Sequence, residues 1–122
     1  MKIEVLPPGF SVCKVQGYEA LDCTAPFTFT GSTDAEKSLV CPTSRVPEET
    51  LAREDGWRGV RIAGRLDFAL VGILARISSA LAAANIGLFA VSTFDTDYVF
   101  VKAADLPRAL AALAAAGFDC PA

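Results

Sequence analysis

The sequence has no histidine, and its four cysteines show no C-x-x-C spacing. Without imidazole there is no Ser-His-Asp or Cys-His nucleophile, no two-histidine metal site and no histidine general base. The cysteine spacing argues against a zinc ribbon or a thioredoxin-type site. We therefore expect a protein that is not an enzyme, with no catalytic residues, no metal and no cofactor.

Long apolar runs and an excess of positive charge are also missing. The longest uncharged run, residues 77–94, barely reaches the length of a membrane span and contains serine, asparagine, glycine and threonine, so we expect no transmembrane helix. An acid directly after Met1-Lys2-Ile3 does not fit a signal peptide. The net charge of −3 argues against nucleic acid and membrane surfaces as partners. Together with apolar neighbours around the cysteines, these features predict a reduced, cytoplasmic protein.

The second half of the chain alternates between strand and helix patterns. Apolar residues recur at helical spacing in two alanine-rich segments, which are separated by two short β-rich runs. The predicted elements are a strand at 57–62, a helix with Asp67 as its N-cap, strands at 88–93 and 98–101, a helix with Asp105 as its N-cap, and a short strand at 118–120. This βαββαβ order is that of a ferredoxin-like unit, with antiparallel strands and helices on one face.

The first half of the chain is rich in short strands and resembles a degenerate copy of the same unit. Its predicted elements are strands at 2–6, 10–15, 27–30 and 38–41, at most one helical turn at 33–37, and a short helix at 47–53. The predicted fold is therefore α+β, with two ferredoxin-like units in tandem. We predict a degenerate unit at 1–56 and a complete unit at 57–122.

The two central strands of the second half are apolar on both faces. In a lone ferredoxin-like unit the helices cover one face and water covers the other, so the strands should alternate between apolar and polar residues. Residues 88–91 and 98–101 do not alternate, and their second face would form an exposed apolar patch. We expect the two halves to close on each other and a second chain to pack there in a homodimer.

Two segments have residues suited to binding a small molecule. The first turn of the first predicted helix leaves backbone N–H groups unpaired, which favours a carboxylate, and Gly72 would let a ligand come close. The hairpin at 92–98 carries Asp97 beside the hydroxyls of Thr93 and Thr96, where an amine could bind. Helix packing and ordinary turn chemistry explain each segment when it is taken alone. Together, at one end of a split βαβ unit, they suit a free α-amino acid.

Other charged groups give weaker indications. Asp95 and Asp97 could hold a hard cation together with a phosphate, but no further acids converge on them. The P-loop pattern is missing. Arg58 and Arg61 alternate along a strand and favour solvated charges over an anion clamp.

Three blocks of the sequence resemble the ACT-like family of bacterial tandem ACT proteins. They are residues 57–64, residues 66–68 with 72–75, and the S-T-F-D-T-D-Y string at 92–98, which is the most specific. The same blocks resemble each half of the cytosolic arginine sensor of the mTOR pathway, a protein with four ACT units. The strands predicted in the first half fit the family's degenerate first unit.

The resemblance implies a regulatory, allosteric domain that binds a small ligand, usually an amino acid, at an interface between ACT units. The positions that match the sensor imply ligand contacts from Gly72, Ile73, Thr93, Phe94 and Asp97. Asp95 and Thr96 of the same hairpin complete the predicted site. Because this chain has two units where the sensor has four, the interface would form between two chains.

A second function from a different class stays open, namely a ligand-free interaction or dimerisation module that uses the apolar sheet face. Asp97 discriminates between the two. A binding module would use Asp97 in a partly buried pocket, whereas an interaction module would leave it a solvated turn residue.

Overall fold

The computed structural model describes residues 1–63 and 72–121. Contacts between residues divide the chain into two compact units. The helical unit consists of Met1–Pro7 and Arg58–Ala122, and the strand unit consists of Pro8–Trp57. The division into ACT-like units at 1–56 and 57–122 stays a prediction.

Within the described residues the chain forms six strands and two α-helices. They are β1 (Ile3–Val15), β2 (Phe29–Ser32), β3 (Lys37–Pro42), β4 (Ala52–Ile62), α1 (Ile73–Ala83), β5 (Leu88–Ser92), β6 (Asp97–Lys102) and α2 (Leu106–Ala115). Short 3₁₀ turns at Thr43–Arg45 and Ala103–Asp105 follow β3 and β6.

The helical unit contains a sheet in the order β1-β4-β6-β5 with two helices against one face. Ile77 and Leu81 of α1 and Leu113 of α2 pack in one buried cluster with Val60 of β4 and Val99 of β6. Residues two apart on a strand share a face, so Ile62 and Val101, which also belong to this cluster, lie on that same face. The predicted α+β class, with an antiparallel sheet and two helices of the ferredoxin-like type, is confirmed.

Left-handed backbone marks the ends of both helices. Gly72, with φ of +84°, precedes α1, and Asn85 and Gly117, with φ of +60° and +100°, follow α1 and α2. Asp105 occupies the N-cap position of α2, but its carboxylate pairs with Arg108 and makes no cap hydrogen bond. The predicted cap Asp67 lies outside the described residues.

The strand unit contains the order β2-β3-β1-β4 and no α-helix. The side chains of Cys13, Val15, Leu39 and Cys41 form its buried cluster. Three partly buried side chains pack against that cluster: Tyr18, Leu21 and Val46. The segments 16–28 and 46–51 thus take the places along the chain that α1 and α2 take in the helical unit.

The hairpins of the two units share their register. Phe29 of β2 pairs with Val40 of β3, and Phe89 of β5 pairs with Phe100 of β6, so each residue pair lies 60 positions from its counterpart. The same spacing holds along both hairpins and for the 3₁₀ turns that follow. The two hairpins therefore have equivalent strand pairing.

The turns of the two hairpins are also closed by the same hydrogen bonds. The backbone N–H of Thr33 donates to the Glu36 carbonyl at 2.9 Å, and that of Thr93 donates to the Thr96 carbonyl at 2.9 Å. The threonine hydroxyl donates to the same carbonyl in each case, at 3.2 Å and 3.1 Å.

Several predicted elements, in both halves of the chain, differ from the structure. The strands expected at 2–6 and 10–15 are one continuous strand, β1. The helix expected at 47–53 is absent, because the Leu51 N–H donates to the Lys14 carbonyl at 2.7 Å and β4 begins at Ala52. Residues 33–36 form a hairpin turn without a helical turn, which agrees with the prediction of at most one such turn. The last predicted strand, 118–120, is reduced to one bridge between Lys2 and Asp119.

Candidate functional site

The turn between β5 and β6 is held by its own hydroxyl groups. Ser92 Oγ donates to Asp97 Oδ1 at 2.6 Å, and these two residues form the strand pair next to the turn. The double contact from Thr93 to the Thr96 carbonyl closes the turn above it. The hairpin therefore holds the Asp97 carboxylate against the Ser92 hydroxyl, next to a turn that the Thr93 hydroxyl closes.

Thr96 connects this turn to the end of β4. Its side chain is buried, with 7% exposure, and its Oγ1 donates to the Ile62 carbonyl at 3.0 Å. Ile62 is the last residue of β4 and precedes the part of the chain that leads to α1. The hairpin therefore lies at the end of the sheet where β4 passes toward the first helix.

Asp97 is the charged group of the hairpin that is best placed to bind a cation. It is partly buried, and among the described residues its carboxylate receives its hydrogen bond from Ser92. A carboxylate has room for several donors, so Asp97 can accept a further bond from an ammonium group. Phe94, with 68% exposure, and Asp95 project from the tip of the same turn.

Gly72 and Ile73 begin α1, which is a different element of the same unit. The Gly72 carbonyl accepts the Arg76 N–H at 2.9 Å, and Ile73 packs against the buried cluster. A Cβ at Gly72 would meet nothing within 4 Å, so the left-handed φ and not space favours glycine there. Gly72 also lines an open depression of about 590 Å³ with Arg76, Ser79 and Ala116.

The hairpin thus brings together Thr93, Phe94, Asp95, Thr96 and Asp97, whereas Gly72 and Ile73 stand at the helix start. Ser92, which the sequence analysis did not include among the candidate residues, also contacts Asp97. Its position opposite Asp97 in a two-stranded register, directly before the turn, was the available signal.

The two strand arginines are held in the sheet and are not freely solvated charges. Arg61 Nε pairs with Glu4 Oε1 at 3.0 Å and its Nη1 donates to the Tyr98 hydroxyl at 3.4 Å. The hydrogen bond that Arg61 donates to Tyr98 and, to a smaller extent, the one that it donates to Glu4 raise the pKa of Arg61. Arg58 Nη2 donates to the Leu6 carbonyl at 3.2 Å. The expectation of solvated charges on this strand is therefore wrong.

The described residues offer no metal centre. In residues 1–63 and 72–121, no three histidine, cysteine or acidic side chains meet in an arrangement that could hold a metal ion. Neither helix that the structure describes is long and apolar enough to cross a membrane.

Comparisons with known proteins connect this geometry to a family and to solved structures. A family model described as the ACT domain matches residues 52–115. A solved protein from Agobacterium tumefaciens is 30% identical, has a TM-score of 0.85, and is matched over 98% of this chain and 91% of that chain. A Vibrio cholerae protein described as of unknown function and a possible transport protein is 21% identical, with a TM-score of 0.72 over 92% of this chain and 86% of that chain.

The regulatory subunit of aspartate kinase from Thermus thermophilus has the same fold. It is 11% identical, with a TM-score of 0.70, and the match covers 96% of this chain and 97% of that chain. A search of the curated protein sequences gives no match.

Proposed function

Because the chain belongs to the ACT domain family, we propose that it is a non-catalytic, cytoplasmic regulatory module that binds an amino acid at an interface between ACT units. The structural likeness to the regulatory subunit of aspartate kinase supports a regulatory role. The ligand would lie between the β5–β6 hairpin and the start of α1. The residues of this site are Gly72, Ile73, Ser92, Thr93, Phe94, Asp95, Thr96 and Asp97.

The single observation that carries the proposal is the placement of Asp97. Its carboxylate is partly buried, is fixed by Ser92 Oγ at 2.6 Å, and has lone pairs left for an ammonium group. The first backbone N–H groups of α1 have no partner within their helix and carry a partial positive charge. The Asp97 carboxylate would bind the ammonium group of an α-amino acid, and the N–H groups at the start of α1 would bind its carboxylate.

The equivalent hairpins support a tandem organisation. β2–β3 and β5–β6 share register, turn hydrogen bonds and the following 3₁₀ turn at a constant spacing of 60 residues. We infer that 1–56 is an ACT-like unit that has lost its helices and that 57–122 is the complete unit. The interface that encloses the ligand would then form between two chains in a homodimer.

A thermal-shift screen of the purified protein against the twenty amino acids tests the proposal. A ligand present at 100 times its Kd stabilises the folded state by about 2.7 kcal/mol, which is a clear rise in melting temperature for a chain of this size. We expect one amino acid or a small group of related ones to give such a shift. Absence of any shift would overturn the proposal.

Two aspartate variants assign the shift to the hairpin. Asp97→Asn should abolish it, because the amide cannot provide the charge that an ammonium group needs. Asp34→Asn removes an exposed acid from the other hairpin and should leave the shift intact. If Asp97→Asn keeps the shift, the ligand binds elsewhere.

The alternative function, a ligand-free dimerisation module, predicts a different result. In that case the protein would be a dimer at micromolar concentration, and neither amino acids nor Asp97→Asn would change its stability. Sedimentation at several concentrations distinguishes a dimer from a monomer of 12.8 kDa. A monomer at all concentrations and with all ligands would contradict the two-chain interface.

A further inference from the structure

The strand unit contains a cavity of about 910 Å³ that the sequence reasoning did not predict. It is formed by the end of β1, the chain that follows it, and the segment before β4. Small-molecule sites usually have volumes of about 300–1,000 Å³, so the cavity has the size of such a site. The lining residues are Val15, Gln16, Gly17, Tyr18, Glu19, Ala20, Leu21, Leu39, Pro47, Glu48, Glu49, Thr50 and Leu51.

The cavity arises because this unit covers its sheet without helices. In the helical unit the side chains of two helices pack on the sheet cluster that includes Val60 and Val99. In the strand unit the cluster that includes Val15 and Leu39 is met by three partly buried side chains from irregular segments. The residues Val15 and Leu39 therefore both support the core and line the cavity.

One wall of the cavity is a fixed aromatic ring. The Tyr18 hydroxyl lies 3.0 Å from the Gly31 carbonyl and 2.9 Å from the Ser38 carbonyl, and so it is held between β2 and β3. The ring itself packs against the buried cluster. Because both its hydroxyl group and its ring are held in place, Tyr18 offers a rigid, apolar face to a ligand, at little cost in side-chain entropy.

The charge of the cavity has one sign. Glu19, Glu48 and Glu49 line it, and none of the lining residues is a lysine or an arginine. Across residues 1–63 and 72–121 no cation pairs with any of these three carboxylates. Carboxylates without a cationic partner around a concave surface attract cations and disfavour anions.

We propose that this cavity binds a small organic cation with an apolar body, of the arylalkylamine type. The ring or alkyl part would contact Val15, Leu39 and the Tyr18 ring, and the ammonium group would lie among the three glutamates. The site shares no residue with the β5–β6 hairpin. Either site can therefore fail its test without affecting the other.

Titration with phenethylamine, followed by isothermal calorimetry and by the NMR shifts of Tyr18 and Leu39, tests the proposal. The matched probes are 2-phenylethanol, which keeps the ring and loses the charge, and 3-phenylpropionate, which reverses the charge. We expect saturable binding of phenethylamine that is at least tenfold tighter than that of the alcohol, and none of the carboxylate. Binding should weaken with added salt. Equal binding of amine and alcohol would overturn the proposal.

Variants of exposed cavity residues assign the binding to this place. The triple variant Glu19→Gln, Glu48→Gln, Glu49→Gln should weaken phenethylamine binding at least tenfold, whereas Asp34→Asn should not change it. Ala20→Trp, which adds a large side chain at an exposed lining position, should compete with the ligand for space. Retained binding in both the triple variant and Ala20→Trp would contradict the proposal. So would loss of binding at high protein concentration, since a second copy would then occupy the cavity.

Discussion

The helical unit and the strand unit build equivalent hairpins but cover their sheets in different ways. In the first, helices α1 and α2 supply branched side chains such as Leu81 and Leu113, which are fully buried. In the second, irregular segments supply three partly buried side chains and leave a cavity. The hairpin geometry thus depends on strand pairing and turn chemistry, and the helices are not needed to form it.

Besides its apolar cluster, the strand unit contains a partly buried network of polar side chains. Ser11 is fully buried, and its hydroxyl contacts Thr43 Oγ1 at 2.9 Å and donates to Asp55 Oδ1 at 2.6 Å. A hydrogen bond from Arg53 and, to a smaller extent, one from Ser11 lower the pKa of the Asp55 carboxyl. The comparison indicates that side-chain hydrogen bonds contribute to the order of a sheet that no helix covers.

The largest expected effect separates the two ways of covering a sheet. Leu81→Ala removes a fully buried side chain from α1 and should cost about 2–5 kcal/mol of unfolding free energy, through lost burial and the cavity left behind. Leu21→Ala truncates a partly buried leucine of the strand unit and should cost less than half as much. Urea unfolding of both variants measures the difference. Equal costs would show that the loop segment packs as tightly as the helix does.

A second, smaller effect concerns one strand glycine in each of the two units. A Cβ at Gly59 would lie 2.9 Å from Phe100 Cε1 and 3.0 Å from Leu6 Cδ1, so Gly59→Ala should cost about 1–3 kcal/mol through overpacking. Gly31→Ala in β2 meets nothing within 4 Å and should be neutral or slightly stabilising. The melting temperatures of the two variants test this pair. A stable Gly59→Ala variant would mean that Phe100 can shift aside.

A third effect tests the contact between the hairpin and β4. Thr96→Val keeps the volume of the side chain but removes the hydroxyl that donates to the Ile62 carbonyl, and it should cost about 1.5 kcal/mol. Thr33→Val in the other hairpin removes an exposed hydroxyl that bonds within its own turn, and it should cost less. Chemical denaturation compares the two. A larger loss for Thr33→Val would contradict the role of Thr96 as the buried anchor.

The elements that the sequence predicts well are those with a strong local pattern. The apolar spacing of Ile73, Ile77 and Leu81 predicts α1, and both hairpins follow from β-rich runs on either side of turn residues. The helix expected at 47–53 fails because Leu51 pairs with Lys14 of β1, a contact between residues far apart in sequence. Local propensity does not predict such pairing.

The candidate site likewise has some features that depend on local sequence and others that depend on distant residues. The turn at 92–97 and its hydroxyl groups are local features that the sequence predicts. The burial of Thr96 depends on the position of the end of β4, which no local pattern specifies. The cavity of the strand unit is lined by irregular segments that cover the sheet. Such segments have no hydrophobic periodicity from which their packing could be predicted.

The smallest expected effect uses pH to probe the buried thiols in the core of the strand unit. Burial, with a smaller contribution from Cys13, raises the pKa of the Cys41 thiol from 9.0 to about 11, and burial raises that of Cys13 as well. Both thiols belong to the core of the strand unit. Between pH 9 and 11 the unfolded chain loses thiol protons that the folded chain keeps, so the free energy of unfolding falls as the pH rises.

At pH 9.5 the loss relative to pH 8 should be on the order of 1 kcal/mol or less, measured as the shift of the urea midpoint. Cys41→Ala should remove most of this pH dependence, whatever its own cost to stability, because the titrating group is gone. Cys23→Ala should retain it, because Cys23 is exposed. A pH dependence that persists in Cys41→Ala would assign the effect to other groups. Its disappearance would show that the strand unit unfolds together with the helical unit, since the stability of the whole chain would then respond to a thiol in the unit without helices.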